Sequence, residues 1–237
     1  MIVFPAIDLK GGKCVRLFQG RMDTGKVYSD RPEDMARRWE DEGGTFLHVV
    51  DLEAAVSGKR ENLQAIENIV KTVSIPVQVG GGMRNREAIN VVLSAGVHRV
   101  IIGTAAIQDP EMVGKVVEEF GKEKIVAGID ALKGVVKIAG WSDYTSLDFV
   151  TLAKRMELFG VERVVFTDIE KDGALQGPNL ESTRKLAEAT TLKVIASGGI
   201  TTLEDVNNVR ELEDAGVEGM IIGKALYEGT IQLKDIL

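Results

Sequence analysis

Phe4-Pro5-Ala6-Ile7-Asp8 is a short apolar run that ends in an aspartate, and the chain repeats it 122 residues later as Val126-Ala127-Gly128-Ile129-Asp130. Three further pairs of matching positions are each 117 residues apart: Asp51 and Asp168, Asn62 and Asn179, Gly82 and Gly199. Offsets that stay constant within a block indicate a duplicated half with loop insertions. Because the period far exceeds the roughly 20–50 residues of a solenoid repeat, the sequence predicts two half-domains.

Eight short runs are mostly apolar on both faces, which is typical of strands in a parallel sheet. They span residues 2–7, 46–50, 76–79, 99–102, 125–129, 163–166, 193–196 and 219–222. Amphipathic helical patterns separate them, at residues 32–42, 62–70, 86–95, 111–119, 147–159, 180–189 and 203–215. This alternation predicts an α/β fold, a (β/α)8 TIM barrel built from two duplicated half-barrels.

An open doubly wound sheet is the alternative fold, but no Gly-x-Gly-x-x-Gly follows the first predicted strand. The 237 residues suit one barrel, which typically has about 250 residues. Since no Ser-, Pro- or Gly-rich linker divides the chain, we expect residues 1–237 to form a single catalytic domain.

Composition narrows the class of protein. Hydrophobic residues make up 44% of the chain, charged residues 27%, and the net charge is −7, which argues against a general nucleic-acid or membrane surface. The single cysteine, Cys14, excludes an internal disulfide. We expect no leader peptide, because no cationic-then-apolar stretch opens the sequence, and no apolar run approaches about 18 residues. We therefore expect a cytoplasmic protein with no nucleic-acid or membrane partner.

Two aspartates are the strongest candidates for chemistry. Asp8 and Asp130 follow the first and fifth predicted strands, which lie on opposite sides of an eight-stranded barrel. Barrel active sites form at such carboxyl ends, and two carboxyl groups in different environments can act as base and acid. The competing interpretation is that each aspartate caps a loop or pairs with a nearby lysine. Duplication at matched positions favours the catalytic role.

Glycines at four strand ends suggest phosphate binding. Gly80-Gly81-Gly82 and Ser197-Gly198-Gly199 each precede a predicted helix, and Gly103-Thr104 and Gly223-Lys224 end the neighbouring strands. A backbone without side chains can point N–H groups at an anion. Arg84 and Lys224 are possible charged partners. Two such strand ends in each half suit a substrate with two phosphates, although glycines also serve plain turns.

Other residues have weaker signals. Long loops, expected over the barrel mouth, span residues 10–30 and 168–179. Asp51 and Asp168 are expected to hold loops through hydrogen bonds. His48 is expected to be a satisfied interior residue, and Trp141, after a predicted β-hairpin at residues 130–138, either stacks on a planar heterocycle or is buried. Two histidines and one cysteine, far apart, give no metal-ligand cluster.

The chain resembles a known family along essentially its whole length. The motifs that carry the resemblance are Phe4-Pro5-Ala6-Ile7-Asp8-Leu9, Gln19-Gly20, Leu47-His48-Val49-Val50-Asp51-Leu52, Gly80-Gly81-Gly82-Met83-Arg84, Gly140-Trp141, Thr167-Asp168-Ile169-Glu170-Lys171-Asp172-Gly173, Ala196-Ser197-Gly198-Gly199-Ile200 and Ile222-Gly223-Lys224. They are similar to those of the ProFAR isomerases of histidine biosynthesis, which act on a phosphoribosylformimino-aminoimidazole carboxamide ribotide. The family's Asp-Leu-Asp-Gly-Ala is here Asp51-Leu52-Glu53-Ala54-Ala55.

The resemblance implies an Amadori rearrangement of an aminoaldose to an aminoketose on a (β/α)8 barrel, without metal or organic cofactor. It implies Asp8 as general base, Asp130 as general acid, and Thr167 as a third catalytic residue. The remaining predicted site binds a bisphosphorylated small molecule through Gly20, Arg21, His48, Gly81, Gly82, Arg84, Gly103, Thr104, Trp141, Asp172, Gly173, Gly198, Gly199, Gly223 and Lys224. We expect a monomer.

Two alternatives stay open. The first is a bifunctional isomerase that also accepts phosphoribosylanthranilate, which sequence separates poorly from a single-substrate ProFAR isomerase. A non-catalytic phosphosugar-binding barrel would keep the glycines, but it predicts the loss of one aspartate, and both are present.

Overall fold

The computed structural model describes residues 1–18, 20–141 and 143–237, with the backbone alone for Phe18, Met22 and Tyr144. Gln19, from the Gln19-Gly20 motif, and Ser142 lie outside the described residues. The strands within this part of the chain are β1 Ile2–Lys10, β2 Lys13–Phe18, β3 Arg21–Ser29, β4 Leu47–Asp51, β5 Val77–Gly80, β6 Arg99–Ile102, β7 Ile125–Leu132, β8 Val135–Ile138, β9 Asp143–Asp148, β10 Arg163–Asp168, β11 Lys193–Ser197 and β12 Val217–Ile222.

Eight of these strands close into a parallel barrel, as the sequence predicts. The pairing runs β1–β4–β5–β6–β7–β10–β11–β12 and returns from β12 to β1. All eight predicted strands are present, with ends shifted by a few residues. The α/β barrel is therefore confirmed, and the open doubly wound sheet is wrong.

Helices surround the barrel. They are α1 Pro32–Asp41, α2 Leu52–Ser57, α3 Leu63–Thr72, α4 Arg86–Ser94, α5 Thr104–Gln108, α6 Pro110–Phe120, α7 Phe149–Leu158, α8 Leu180–Ala189, α9 Leu203–Arg210 and α10 Lys224–Glu228. The seven predicted helices are confirmed, except that the predicted helix at residues 203–215 ends at Arg210 and a 3-10 turn, Glu213–Ala215, follows. The short helices α2, α5 and α10 were not predicted.

Alternation along the strands produces two apolar layers. Residues such as Val49, Ile102 and Ile129 face outward, into the large core between barrel and helices. A smaller cluster, which includes Phe4 and Val165, fills the barrel itself. The barrel strands also carry buried polar side chains, from Arg99 at the start of β6 to Thr167 near the end of β10.

Two β-hairpins stand on the carboxyl ends of strands from opposite halves. β2 and β3 pair antiparallel on β1, and β8 and β9 extend β7. The expectation of a long loop at residues 10–30 is therefore wrong for most of that segment, because its strands satisfy their backbone groups by pairing. The predicted hairpin at residues 130–138 is confirmed, and residues 169–179 contain turns without helix or strand.

The duplication also appears in hydrogen bonds far from the barrel mouth. The Oε1 atom of Glu40 accepts the backbone N–H of Ser74 at 2.8 Å, and Oε1 of Glu157 accepts that of Thr191 at 2.7 Å. Both residues of each pair obey the 117-residue offset seen in the sequence. Equivalent contacts at equivalent positions support two half-barrels of common plan.

No helix in the described ranges is both long enough and apolar enough to cross a membrane.

Candidate active site

A cavity of about 220 Å³ opens at the carboxyl ends of the barrel strands. Asp8 from β1 and Asp130 from β7 both line it, although 122 residues separate them in the sequence. The barrel closure brings them to one space because their strands end at the same rim. The structure thus places both predicted catalytic aspartates where one ligand can contact them.

Asp8 faces a buried cation. Its Oδ2 atom lies 2.9 Å from Nη1 of Arg16, and the side chains of Arg16 and Asp8 are only 11% and 17% exposed. Asp8 pairs with Val15 across the β1–β2 register, which carries Arg16 over the rim. Burial raises the pKa of Asp8, and the charge of Arg16 opposes that rise. The arginine therefore favours the ionised carboxylate that a general base requires.

Asp130 faces neutral donors instead. Nε1 of Trp141 donates to Oδ2 of Asp130 at 2.8 Å, and Thr167 is its Cα partner on β10. Burial raises the pKa of Asp130, while hydrogen bonds from Trp141 and Thr167 lower it. The pKa of Asp8 is lowered by the charge of Arg16, whereas that of Asp130 is lowered by hydrogen bonds from neutral donors, so the neutral acid is favoured more at Asp130. This difference fits an acid–base pair.

Asp172 also lines this cavity, together with a small adjoining one. Burial raises the pKa of its carboxyl to about 6; Arg16 opposes the rise, and the charges of Asp8 and Asp130 add to it. Asp172 was predicted only as a binding residue. Its position beside both aspartates makes it a second carboxyl able to donate a proton near neutral pH.

The glycine-rich strand ends of the first half form the first of two candidate phosphate sites, which we call cradles. It comprises residues 80–84 and 103–104 and lines the main cavity. Gly81 and Gly82 have φ of +100° and +71°, a region that side chains rarely adopt. A Cβ on Gly81 would overlap the carbonyl oxygen of Asp51, and one on Gly82 would lie 2.6 Å from Cβ of Ala54. These two glycines are thus required for packing as well as for an open anion site.

The second cradle, residues 197–200 and 223–224, lines the adjoining cavity. Gly198 and Gly199 repeat the positive φ of their counterparts, at +95° and +87°. A Cβ on Gly198 would lie 2.7 Å from the carbonyl oxygen of Asp168. Nζ of Lys224 donates to the carbonyl oxygen of Gly173 at 2.9 Å. The backbone of the first cradle is therefore rebuilt here, with a cation at its edge.

Matched aspartates hold the loops behind both cradles, as the sequence predicted. Nδ2 of Asn62 donates to Asp51 at 2.7 Å, and Nδ2 of Asn179 donates to Asp168 at 2.6 Å. Asp51 also accepts the backbone N–H of Ala54, and Asp168 accepts that of Glu170. These buried carboxylates act as structural anchors of the repeat.

The departure from the family motif falls in α2. Oε1 of Glu53 accepts the N–H of Gly11 at 2.9 Å, and Oε2 accepts Nδ2 of Asn62 at 2.6 Å. The glutamate thereby links the turn after β1 to the anchor of the first cradle. Its neighbour Ala54 supplies the methyl group on which Gly82 packs.

Trp141 closes the cavity from above. It has φ of +73° and lies so close to Gly20 that a Cβ there would overlap the indole. The two hairpins therefore meet at the Gly20–Trp141 contact. A non-glycine residue in the left-handed region is held there at a cost of about 1–3 kcal/mol, and such strain is concentrated at functional sites.

Most other predicted binding residues lie around the same cavities. The described lining of the main cavity includes Gly20, His48, Gly81, Gly82, Arg84, Gly103, Thr104, Trp141, Thr167 and Asp172, and that of the small one includes Gly173, Gly198, Gly199, Gly223 and Lys224. Arg84 donates to the carbonyl oxygens of Ala55 and Val56.

The structure places Arg21 outside both cavities. Its guanidinium is 62% exposed and lies 3.1 Å from Asp23, outside the cavity lining, because the β3 strand directs it to solvent. Arg16, from the same hairpin, supplies a positive charge to the site instead, because it lines both cavities. Lys137, 5% exposed and paired with Asp130 across β7 and β8, also lines the main cavity. Neither residue was in the predicted site.

Cys14 lies behind the site as a buried thiol. Its Sγ atom is 3.2 Å from the hydroxyl of Tyr227. Burial raises the pKa of the thiol to about 11, so it stays protonated at neutral pH. Among the described residues no three His, Cys, Asp or Glu side chains form a group able to hold a metal ion.

Comparison with known proteins gives one consistent result. The family model described as "Histidine biosynthesis protein" matches residues 2–232. A protein from Desulforamulus reducens is 51% identical over 237 residues, covering 100% of this chain and 96% of its own. One from Geotalea uraniireducens is 51% identical, with coverage of 99% and 96%, and one from Synechocystis is 49% identical, with coverage of 100% and 92%. Each is named a 1-(5-phosphoribosyl)-5-((5-phosphoribosylamino)methylideneamino)imidazole-4-carboxamide isomerase.

Proposed function

Because the chain belongs to the histidine biosynthesis protein family, we propose that it is the isomerase that converts ProFAR, a bisphosphorylated aminoaldose, to the corresponding aminoketose. One observation supports this above all. Asp8 and Asp130 line a single cavity, one beside a cation and the other beside neutral donors. That is the arrangement an intramolecular aldose–ketose isomerase needs for a base and an acid.

Binding comes from the two cradles. Each holds one phosphate, so the substrate spans the barrel mouth from the first half to the second. Backbone N–H groups suit phosphate oxygens, and this remote binding energy positions the ribosylamine between the aspartates. Arg16 and Lys224 add positive charge on the second side.

The chemistry follows in balanced steps. Asp130 donates a proton to the furanose ring oxygen; the bond from that oxygen to C1 breaks, and the nitrogen lone pair forms a C1=N bond. Asp8 then removes the C2 proton; the C2–H electrons form the C1=C2 bond of an enolamine, and the C1=N electron pair returns to nitrogen. In the tautomerisation the C2 hydroxyl loses its proton to form C2=O and C1 gains a proton, which gives the ketose. Thr167, beside Asp130 in the register, orients the acid.

Asp172 is the competing candidate for the acid. Its raised pKa of about 6 leaves part of its population protonated near neutral pH. It also lies where the substrate would pass between the cradles. Separate Asp130→Asn and Asp172→Asn variants distinguish the two assignments, as set out in the Discussion.

The proposal further includes a monomer of one domain that acts in the cytoplasm, with no cofactor and no nucleic-acid partner. The test is turnover of two substrates by the purified protein. We expect conversion of ProFAR and little conversion of phosphoribosylanthranilate, because a one-phosphate substrate would leave one cradle empty. Comparable kcat/KM values on both would identify a bifunctional enzyme. Phosphate-competable binding without turnover of either would favour a non-catalytic phosphosugar-binding barrel.

A further inference from the structure

A line of buried polar side chains crosses the barrel interior beneath the cavity. His48, Gln78 and Arg99 come from the neighbouring strands β4, β5 and β6, where they are Cα partners in one layer. Their exposures are 7%, 0% and 4%. Nε2 of Gln78 lies 2.9 Å from Nδ1 of His48, and Nε of Arg99 donates to Oε1 of Gln78 at 2.8 Å. The three side chains form a continuous hydrogen-bonded chain.

The direction of this chain is set at its arginine end. A guanidinium can only donate hydrogen bonds. Oε1 of Gln78 must therefore accept from Arg99, which leaves the amide Nε2 of Gln78 as a donor to His48. Nδ1 of His48 then has to accept. The network assigns His48 the neutral form with its proton on Nε2.

Arg99 is well anchored for this role. Its guanidinium carbon lies 4.5 Å from the ring centre of Phe46 and 5.5 Å from that of Phe4. Nη2 lies 3.9 Å from Glu218, which is itself 3.0 Å from Nε of Arg163. Burial lowers the pKa of Arg99 to about 10, so the group stays cationic at neutral pH. The donor that begins the chain is thus permanent.

His48 is the last residue of this hydrogen-bonded chain, and it lies at the active-site cavity. It lines the main cavity together with Asp8 and Arg16. Burial and the charges of Arg16 and Arg99 lower its pKa to about 3, which excludes it as an acid or base near neutral pH. Within the described part of the chain its Nε2 atom has no hydrogen-bond partner, and it is not among the fully buried unsatisfied atoms. A ligand oxygen can therefore meet it.

We propose that His48 is a fixed neutral hydrogen-bond donor to an acceptor oxygen of the bound substrate, and that Gln78 and Arg99 are positioning residues that set its tautomer. The identity of the substrate rests on the function proposed above. The tautomer itself does not, since it follows from the hydrogen-bond network of the free protein. Directed donation of this kind selects a ligand with an oxygen acceptor, not another donor, at this point of the cavity.

The direct test is ¹⁵N NMR of histidine-labelled protein, in which only His48 and His98 contribute signals. A His98→Gln variant assigns them. We expect His48 to show a protonated Nε2 and an unprotonated Nδ1 from mildly acid to neutral pH, and its Nε2 resonance to move when the bisphosphorylated substrate saturates the protein. A proton on Nδ1, or an imidazolium, in the free protein would overturn the assignment and needs no variant.

Gln78→Glu reverses the direction of the hydrogen bond to His48 without changing the shape of the side chain. A carboxylate beside Arg99 can only accept, so Nδ1 of His48 must become a donor, and the ¹⁵N spectrum should show that change. The loss of one directed hydrogen bond should lower kcat/KM about three- to tenfold, mainly through KM. Gln232→Glu, the same change at an exposed position, should alter neither readout.

The outcomes separate the two proposals. Turnover with an unmoved Nε2 resonance, or a reversed tautomer with an unchanged KM, would overturn the donor role. Absence of turnover on ProFAR contradicts the proposed function, while the spectrum of the free protein still decides the tautomer.

Discussion

The cradles in the two halves of the barrel have the same backbone conformation but differ in the charged groups around them. Gly81 and Gly198, and likewise Gly82 and Gly199, adopt the same left-handed conformation. The first cradle packs on α2 and opens into the main cavity, whereas the second packs on the turns after β10 and has Lys224 at its edge. Duplication thus supplies two similar anion sites, and the loops make them unequal.

Arg16 shows this inequality most clearly. It belongs to the β2–β3 hairpin of the first half, yet it lies against Gly223 of the second cradle. It also pairs with Asp8. The other half places a hairpin at the equivalent point, but there Trp141 gives Asp130 a neutral hydrogen bond. The first hairpin thus places a guanidinium against Asp8, and the second places an indole against Asp130.

The largest expected effect comes from removing either carboxylate. Asp8→Asn and Asp130→Asn should each lower kcat by about 10² to 10⁴ with the fold intact, because each loses one proton-transfer group. Asp23→Asn, an exposed aspartate of the β2–β3 hairpin, is the control. Steady-state kinetics on ProFAR decide. Near-normal turnover in Asp130→Asn together with a large loss in Asp172→Asn would move the acid to Asp172.

The second prediction contrasts the partners of the two aspartates. Arg16→Met removes the cation that opposes the raised pKa of Asp8, so that pKa should rise further. The base then ionises only at higher pH, and the acid limb of the kcat/KM profile moves upward. Trp141→Phe also raises the pKa of Asp130, but this keeps the acid protonated to higher pH, so it should move the alkaline limb and leave the acid limb in place.

Profiles measured on ProFAR from acid to mildly alkaline pH test this contrast. Arg31→Met, at an exposed position beside the β2–β3 hairpin, controls for loss of a positive charge. Equal movement of the acid limb in both hairpin variants would show that the two aspartates are not distinguished by their partners.

A smaller effect is expected in stability. The folded-state pKa of Asp172 is about 6, above its ordinary value of 3.8, so the folded protein binds more protons than the unfolded chain between these values. Stability from this group is present below about pH 4 and is lost as pH rises through 6. Asp172→Asn should therefore be more stable than wild type at pH 8, by up to about 3 kcal/mol.

Urea unfolding at pH 4 and pH 8 tests the sign. The advantage of Asp172→Asn should appear at pH 8 and shrink at pH 4. A variant that is less stable than wild type at pH 8 would contradict the burial of this charge.

Sequence reasoning predicted the barrel because its signals are local and repeated. Apolar runs mark the barrel strands, and glycines with left-handed φ recur at fixed offsets, as Gly82 and Gly199 do. The β2–β3 hairpin was missed because its strands are charged and partly exposed. The sequence did contain one turn signal for this hairpin: the two-residue segment 19–20, between Phe18 and Arg21, has a glycine, Gly20, in its second position.

The electrostatics of the site could not be read in the same way. Arg16 was assigned no partner, since its contact with Asp8 depends on the antiparallel register of β1 and β2. The raised pKa of Asp172 depends on burial and on Asp8, Asp130 and Arg16, groups that only barrel closure brings together. Charge coupling between remote segments leaves no periodic pattern in a sequence.

Phosphate stoichiometry tests the central claim, that each half holds one phosphate of one substrate. Gly103 and Gly223 are the equivalent glycines to change. A Cβ at Gly103 meets nothing closer than 3.9 Å, and the three atoms nearest to a Cβ at Gly223 all belong to the guanidinium of Arg16. Calorimetric titration with inorganic phosphate should give two sites in the wild type. It should give one site in Gly103→Ala and one in Gly223→Ala, with unchanged circular dichroism. A single site in the wild type, or two sites kept in both variants, would contradict the account.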